Sequence, residues 1–207
     1  VSHLPPVVVV GHRKELIQGL LGERVQYAEQ AEMLGTGHAV MQATNLLREN
    51  SDVTLVTYGD MPLLRKTTVE QLIARFREQW TAERDQRPAI VMLTVERDDA
   101  QGFGRVVRNE NGAIQAIVEE VDCTPEQKQI TELNPGIYCF DAEWLWENLP
   151  IIPLSAKGEY YLTDMVAIAA SQGRSVISLP APLEDVDGIN TRVHLAQATA
   201  VMRHRIL

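Results

Sequence analysis

The segment Pro6-Val7-Val8-Val9-Val10-Gly11 sets four β-branched residues in a row and closes them with a turn residue. An unbroken apolar run of this kind suits a strand covered on both faces, as in a parallel sheet. Residues 13–21 then carry Leu16, Ile17, Leu20 and Leu21 at helical spacing, and Val25-Gln26-Tyr27 offers a second short strand. The turn Gly35-Thr36-Gly37 leads into a helical stretch to about residue 50, with Ala39, Val40, Ala43, Leu46 and Leu47 on one face. Residues 52–58 read as a central strand. Residues 67–80 form an amphipathic helix pattern on Val69, Leu72, Ile73 and Phe76, and residues 89–95 read as another buried strand. Strands alternating with helices imply an α/β fold: a mostly parallel sheet, right-handed crossovers and helices on both faces.

The pattern changes after residue 100. Residues 104–108 and 114–119 flank Asn109-Glu110-Asn111-Gly112, where Asn-Gly signals a hairpin turn. A polar stretch, Thr124-Pro125-Glu126-Gln127-Lys128, precedes the apolar run 136–140, which predicts a small β-rich lobe for substrate. Helical patterns return over roughly residues 141–149, 163–172 and 190–206. No internal repeat, low-complexity segment or linker interrupts the chain, so residues 1–207 read as one domain with two lobes.

The formal charge of −9 argues against a nucleic-acid groove or an anionic membrane surface. The longest apolar stretches fall far short of the roughly 20 residues that cross a bilayer, and the cytoplasm is the expected location. The two cysteines, Cys123 and Cys139, fit no metal spacing and are expected to stay reduced, with Cys139 buried in a strand.

In an open α/β sheet, ligands bind outside the carboxyl ends of the strands. Tyr58-Gly59-Asp60 stands at such an end: Gly59 allows close backbone approach, and Asp60 offers a hard oxygen ligand of the type Mg²⁺ takes alongside substrate phosphates. The alternative is that Asp60 caps the turn at Met61-Pro62. Leu34-Gly35-Thr36-Gly37-His38 precedes a helix and presents backbone N–H groups to an anionic or planar ligand, or serves only as a helix start. In Gly158-Glu159-Tyr160-Tyr161-Leu162-Thr163-Asp164, an extended backbone puts Glu159, Tyr161 and Thr163 on one face, a set suited to sugar hydroxyl groups. Thr163 or Asp164 also reads as a helix N-cap. Asn190 in Gly188-Ile189-Asn190 reads as a cap, a Mg²⁺ ligand, or both.

Six ordered motifs carry a resemblance: Glu32-Met33-Leu34-Gly35-Thr36-Gly37-His38-Ala39, Tyr58-Gly59-Asp60-Met61-Pro62-Leu63, Gly102-Phe103-Gly104-Arg105-Val106, Ile117-Val118-Glu119, the 158–164 segment and Gly188-Ile189-Asn190. In this order, across nearly the whole chain, they resemble the uridylyltransferase half of the bifunctional bacterial N-acetylglucosamine-1-phosphate uridyltransferase (GlmU) family. The resemblance implies a Rossmann-like fold of the nucleotide-diphospho-sugar transferase type. It also implies Mg²⁺-dependent attack of N-acetylglucosamine 1-phosphate on UTP, giving UDP-N-acetylglucosamine and pyrophosphate for cell-wall precursors. By similarity, Asp60 and Asn190 hold Mg²⁺, and Gln30, Gly35 and Thr36 match uracil-contacting positions. Gly104, Glu119, Asn134, Tyr161 and Thr163 match positions that contact the amino sugar or its phosphate, supported by Glu159.

The chain departs from the family pattern in several places. The family's glycine-rich segment with its Arg and Lys, which grips the triphosphate, would precede Val1. The left-handed β-helix that carries acetyltransferase activity and most of the trimer contacts would follow Leu207, so a homotrimer is expected only of a longer form. Val121 stands where the family usually has Lys, Pro135 follows Asn134 where Thr is usual, and Phe103 replaces Tyr. These departures leave two other readings: a sugar-1-phosphate nucleotidyltransferase of different sugar or base specificity, and a non-catalytic sugar-nucleotide-binding member of the fold.

Overall fold

A computed structural model describes residues 4–81, 83 and 86–206. Strand β1 (Val7–Val10) pairs in parallel with β2 (Gln26–Glu29), with Val8 opposite Tyr27, and helix α1 (Lys14–Leu21) makes the crossover. Helix α1 forms as its spacing predicts, yet Leu16 and Leu20 stay largely exposed. Next come α2 (Thr36–Gln42), α3 (Thr44–Leu47), β3 (Val53–Val56), α4 (Lys66–Glu78) and β4 (Ile90–Glu96). The single helix expected to about residue 50 is therefore broken at Ala43. Thr44 Oγ1 donates to the Met41 carbonyl at 2.7 Å, a local bond that competes with helix continuation.

β5 (Gly104–Arg108) and β6 (Ile114–Val118) form the expected hairpin, closed where the Asn-Gly signal placed it. Asn109 Oδ1 accepts from the amides of Asn111 and Ala113. The remaining elements are β7 (Glu132–Asn134), β8 (Tyr138–Asp141), α5 (Ala142–Asn148), α6 (Asp164–Ser171), β9 (Val176–Pro180) and α7 (Arg192–Ile206). Helix α5 begins where Asp141 caps the Trp144 amide at 3.2 Å.

Strands β3, β8, β4, β7, β5 and β6 lie side by side in that order in a seven-stranded sheet, and β9 pairs with β4. Two findings correct the sequence reading. The α/β class with helices on both faces holds, but β1 and β2 form a separate two-stranded parallel sheet and the seven-stranded sheet is mixed: β4/β9 is parallel, whereas β8 runs against both β3 and β4, and β7 runs against both β4 and β5. An apolar run records burial, not direction, so the returning strands were invisible in the β-α rhythm. Strand β3, expected to be central, terminates its sheet among the described residues and pairs there with β8.

Helices do cover both faces. Ile90 and Met92 of β4, with Tyr138 and Phe140 of β8, pack against Trp144, Leu145, Met165 and Val166 from α5 and α6. The alternate residues Val91, Leu93 and Cys139 pack against Leu72 and Phe76 of α4 and against Val186. This period-two division of β4 and β8 produces the core. Phe76 is completely buried, and truncating such a ring to alanine costs about 3–5 kcal/mol.

Candidate active site

The loop before α2 and the segment before α6 are laced together. Gly37 N donates to the Tyr160 carbonyl at 2.8 Å, Tyr160 N donates to the Leu34 carbonyl at 2.8 Å, and Leu162 N donates to Thr36 Oγ1 at 3.0 Å. Gly35 adopts φ 95°, and a Cβ there would lie 2.6 Å from the Tyr160 carbonyl oxygen, so only glycine fits the seam. Gln30 reaches the same loop, its Nε2 donating to the Gly35 carbonyl at 3.0 Å. The His38 ring lies between the Gln30 and Gln42 carboxamides, 3.0 Å from each, which makes it a structural partner of Gln30.

A polar cluster lies where the β5/β6 hairpin meets the start of α6. Thr163, which is buried, donates its hydroxyl to Glu119 Oε1 at 2.7 Å. Thr163 has helical backbone angles (φ −60°, ψ −26°), so the stretch from Glu159 is not extended through to Thr163, and the expected shared face is divided. Thr163 stands at the N-cap position of α6, but its hydroxyl serves Glu119 rather than a helix amide. Glu159 instead lies against Gly35, where a Cβ would approach its own Cβ to 3.1 Å.

Gly104 pairs with Asn134 across β5 and β7, and the position a Gly104 Cβ would take is 3.7 Å from Glu119 Oε2. Asn134 is buried and its carboxamide is engaged internally: Nδ2 donates to the Tyr138 hydroxyl at 2.7 Å, and Oδ1 accepts from Gly136 N at 3.1 Å. Gly136 has φ 84°, and a Cβ there would overlap the Tyr58 ring at 2.1 Å.

These contacts give the cluster its electrostatics. The Tyr58 phenol is pushed up to about 12, first by burial and then by the nearby Glu119 charge, with a side-chain hydrogen bond with Thr36 opposing. Burial also holds Tyr138 well above the usual tyrosine range, aided by Tyr58 and opposed by its bond to Asn134. The Asp164 carboxyl is raised by burial, then by Glu119 and Asp122. Tyr138 is tied to the cluster through Asn134, and Asp164 stands close enough to feel the Glu119 charge. In sequence they read only as a strand core residue and a helix start, and no signal separated them from ordinary packing.

The third component joins distant parts of the chain. Ile189 N donates to the Asp60 carbonyl at 2.9 Å, and the position a Gly188 Cβ would take is 3.6 Å from Asp60 Oδ2. The 188–190 loop therefore lies against the turn after β3. That turn closes through its backbone, with Leu64 N donating to the Met61 carbonyl at 3.3 Å, so Asp60 is not needed to close it. The cap of α7 falls to Thr191, whose hydroxyl accepts from His194 N at 3.1 Å, and not to Asn190. Asp60 and Asn190 are both exposed.

The donor set fits a hard cation: one carboxylate and one carboxamide on adjacent exposed loops are what Mg²⁺ takes when phosphate and water supply the rest. Among the described residues no group of three or more His, Cys, Asp or Glu side chains is placed to hold a metal by itself. A cation here would draw its other oxygens from substrate. Val121, at the position where the family usually has Lys, is 64% exposed and brings no charge to the cleft. Among the described residues no helix is long and apolar enough to cross a membrane.

Comparisons with known proteins bear on the family and the fold. The sequence profile of the nucleotidyl transferase family matches residues 7–186. The protein named bifunctional protein GlmU of Latilactobacillus sakei is 43% identical over 202 residues, covering 97% of this chain and 42% of the relative. The protein of the same name from Halalkalibacterium halodurans is 45% identical over 202 residues, covering 97% of this chain and 43% of the relative. The chain thus spans less than half the length of these relatives. Among solved structures, a putative glucose-1-phosphate thymidylyltransferase from Bacillus anthracis superposes with TM-score 0.68 at 19% identity, covering 95% of this chain and 75% of that one. A CMP:2-keto-3-deoxy-manno-octonic acid synthetase in complex with CTP gives TM-score 0.65 at 17% identity, with coverage of 96% and 80%. The likeness to both is one of fold. On the family match over most of its length, this chain belongs to the nucleotidyl transferase family.

Proposed function

We propose that this chain forms the site at which N-acetylglucosamine 1-phosphate is uridylylated by UTP, with Mg²⁺ as the bound cation. A phosphate oxygen of the sugar phosphate attacks the α-phosphorus of UTP, the bond to the β-phosphate oxygen breaks, and pyrophosphate leaves. The observation that carries this reading is the docking of the Asn190 loop on Asp60 through Ile189 N, and the hydroxyl and carboxylate of Thr163 and Glu119 support it as groups of the kind that bind sugar hydroxyls. It is supported by the 43–45% identity to GlmU proteins over 97% of the chain.

The residues divide the work. Gly35 and Thr36, on the loop stapled to Tyr160, receive the uracil ring, and Gln30 Oε1 accepts from the base while Gln30 Nε2 holds the Gly35 carbonyl. Gly104 lets the sugar approach the backbone, Glu119 accepts from sugar hydroxyl groups, and Glu159 and Tyr161 line the approach. Asn134 acts indirectly, because its carboxamide fixes the Tyr138 hydroxyl and the Gly136 turn. Tyr58 and Gly59 form the floor that leads to Asp60. Mg²⁺ held by Asp60 and Asn190 would neutralise phosphate charge in a chain of formal charge −9. The chemistry then depends on alignment of two polyanions more than on acid–base catalysis.

A pyrophosphate-release assay on the purified protein tests the reading. A panel of sugar 1-phosphates is paired with UTP, dTTP and ATP, with and without Mg²⁺. Release that requires Mg²⁺ and is fastest with UTP and N-acetylglucosamine 1-phosphate is the expected result. Fastest release with another pair would assign another specificity. Tight binding of UDP-N-acetylglucosamine without release would make the protein a binder.

A further inference from the structure

Asp185 has no exposed surface. A buried carboxylate persists only when its charge is answered on every side. The Thr68 hydroxyl donates to Oδ2, and Arg65 Nε lies 2.7 Å from Oδ1. Arg205 Nη2 lies 3.6 Å from the same Oδ1, while Arg205 Nη1 donates to the Leu63 carbonyl at 2.7 Å. Glu184, more exposed, faces Arg65 at 3.2 Å and Arg205 at 4.0 Å.

These partners come from both sides of the site. Leu63, Arg65 and Thr68 follow Asp60, in the turn after β3 and the start of α4. Asp185 precedes Asn190 in its loop, and Arg205 stands in the last turn of the helix that follows Asn190. One buried anion therefore gathers the segment after Asp60, the segment before Asn190 and the helix after it. Val186 completes the joint, fully buried in the cluster that contains Met61, Leu72 and Phe76. From this rear anchor the two loops run forward to where Ile189 N meets the Asp60 carbonyl.

From these contacts we infer that Asp185 is a positioning residue: with Arg65, Thr68 and Arg205 it fixes the spacing of Asp60 and Asn190 and so sets the affinity of the site for its divalent cation. The inference rests on the reading of Asp60 and Asn190 as the cation ligands. Stability alone is a poor reason for the cluster, because apolar side chains of similar volume usually stabilise at least as well as buried ion pairs. One hydrogen bond from Thr68 and ion-pair contacts from Arg65 and Arg205 give this carboxylate what an apolar plug lacks, partners on two further segments that hold the loops carrying the ligands at a set separation. A 1 Å error there is enough to spoil phosphate alignment.

The test is Mn²⁺ uptake, followed by loss of the free-ion electron paramagnetic resonance signal, in wild-type protein and in Asp60→Ala, Asp185→Asn, Thr68→Val and Arg205→Met, with thermal unfolding run alongside. The Mg²⁺ concentration for half-maximal turnover is measured in parallel. Asp60→Ala should abolish uptake. Asp185→Asn should weaken it about tenfold or more, and Thr68→Val and Arg205→Met about threefold or more. The half-maximal Mg²⁺ concentration should rise in step, and turnover at saturating Mg²⁺ should recover to within about threefold of wild type. A merely structural role would lower the active fraction without moving either cation constant. If Asp185→Asn does not fold, the two milder variants decide alone. Wild-type cation constants in the folded variants, with Asp60→Ala still inert, would overturn the positioning role and leave the cation site standing. Mn²⁺ uptake unaffected by Asp60→Ala would overturn the cation site itself, and the inference with it.

Discussion

The Thr163 hydroxyl donates to Glu119 Oε1 at 2.7 Å, tying the N-cap of α6 to the residue that follows β6. This bond holds the Glu119 carboxylate, proposed above to accept from the sugar, from across the site. Thr163→Val keeps the shape and removes the donor. Hydrogen bonds to charged groups are worth about 1.5–3 kcal/mol, so kcat/KM for the sugar phosphate should fall roughly 10- to 100-fold. KM for UTP should stay within about twofold. Steady-state kinetics with each substrate varied checks this, and equal losses for both substrates would deny Glu119 a sugar-specific role.

Gly136→Ala should be costly in stability and in activity. The new methyl group meets the Tyr58 ring at 2.1 Å in a backbone with φ 84°. Overpacking and strain of this type cost about 1–3 kcal/mol each. Thermal unfolding should show a clear drop in Tm. Tyr58→Phe/Gly136→Ala should be no better than Gly136→Ala, since the clash is with ring carbons. A double variant restored to wild-type Tm would contradict this account of the close approach.

The sequence spoke clearly where local chemistry decides structure. The Asn-Gly turn of the β5/β6 hairpin and the Leu72 and Phe76 face of α4 form as their patterns require; the four valines form a parallel strand, but only Val10 is buried, so the coverage of both faces expected of the run is not there. Strand β9 did not announce itself, because Val176-Ile177-Ser178-Leu179-Pro180 is short, ends in proline and gains its place only by pairing with β4. The sheet-terminating place of β3 was equally hidden, since its partner β8 lies far along the chain. For the site, the motifs around Gly35, Asp60 and Asn190 were legible as loops, and folding brings the Asp60 and Asn190 loops together. What was not legible was the second layer. Tyr138, Asp164 and Asp185 look like core, helix start and turn in sequence, and they acquire a role only when folding brings Glu119, Tyr58 and Arg205 to them.

Alkaline pH should find Tyr58 resistant. Its folded phenol ionises near 12, above the ordinary tyrosine value near 10. A group with a raised folded value adds stability that is complete below the unfolded value and is lost as pH rises through the folded one. Stability should therefore decline above about pH 10, and Tyr58→Phe should flatten that decline. Ultraviolet phenolate titration alongside denaturant unfolding checks the sign. A Tyr58 phenolate that forms near pH 10 in folded protein would contradict the raised value.

Asp60→Ala should remove turnover while leaving stability within about 0.5 kcal/mol of wild type, because the carboxylate is exposed and lies outside the core. A residual rate within about threefold of wild type corresponds to well under 1 kcal/mol of barrier and would remove Asp60 from the chemistry.

The central claim is that Asp60 and Asn190, brought to adjacent loops by the bond from Ile189 N to the Asp60 carbonyl, share one divalent ion over the reacting phosphates. A crystal structure with Mn²⁺ and UDP-N-acetylglucosamine, read at the manganese absorption edge, tests it most directly. The account predicts an anomalous peak about 2–2.5 Å from an Asp60 carboxylate oxygen and from the Asn190 carboxamide oxygen, in contact with the diphosphate. A peak ligated by neither residue, with the diphosphate bound elsewhere, would contradict it.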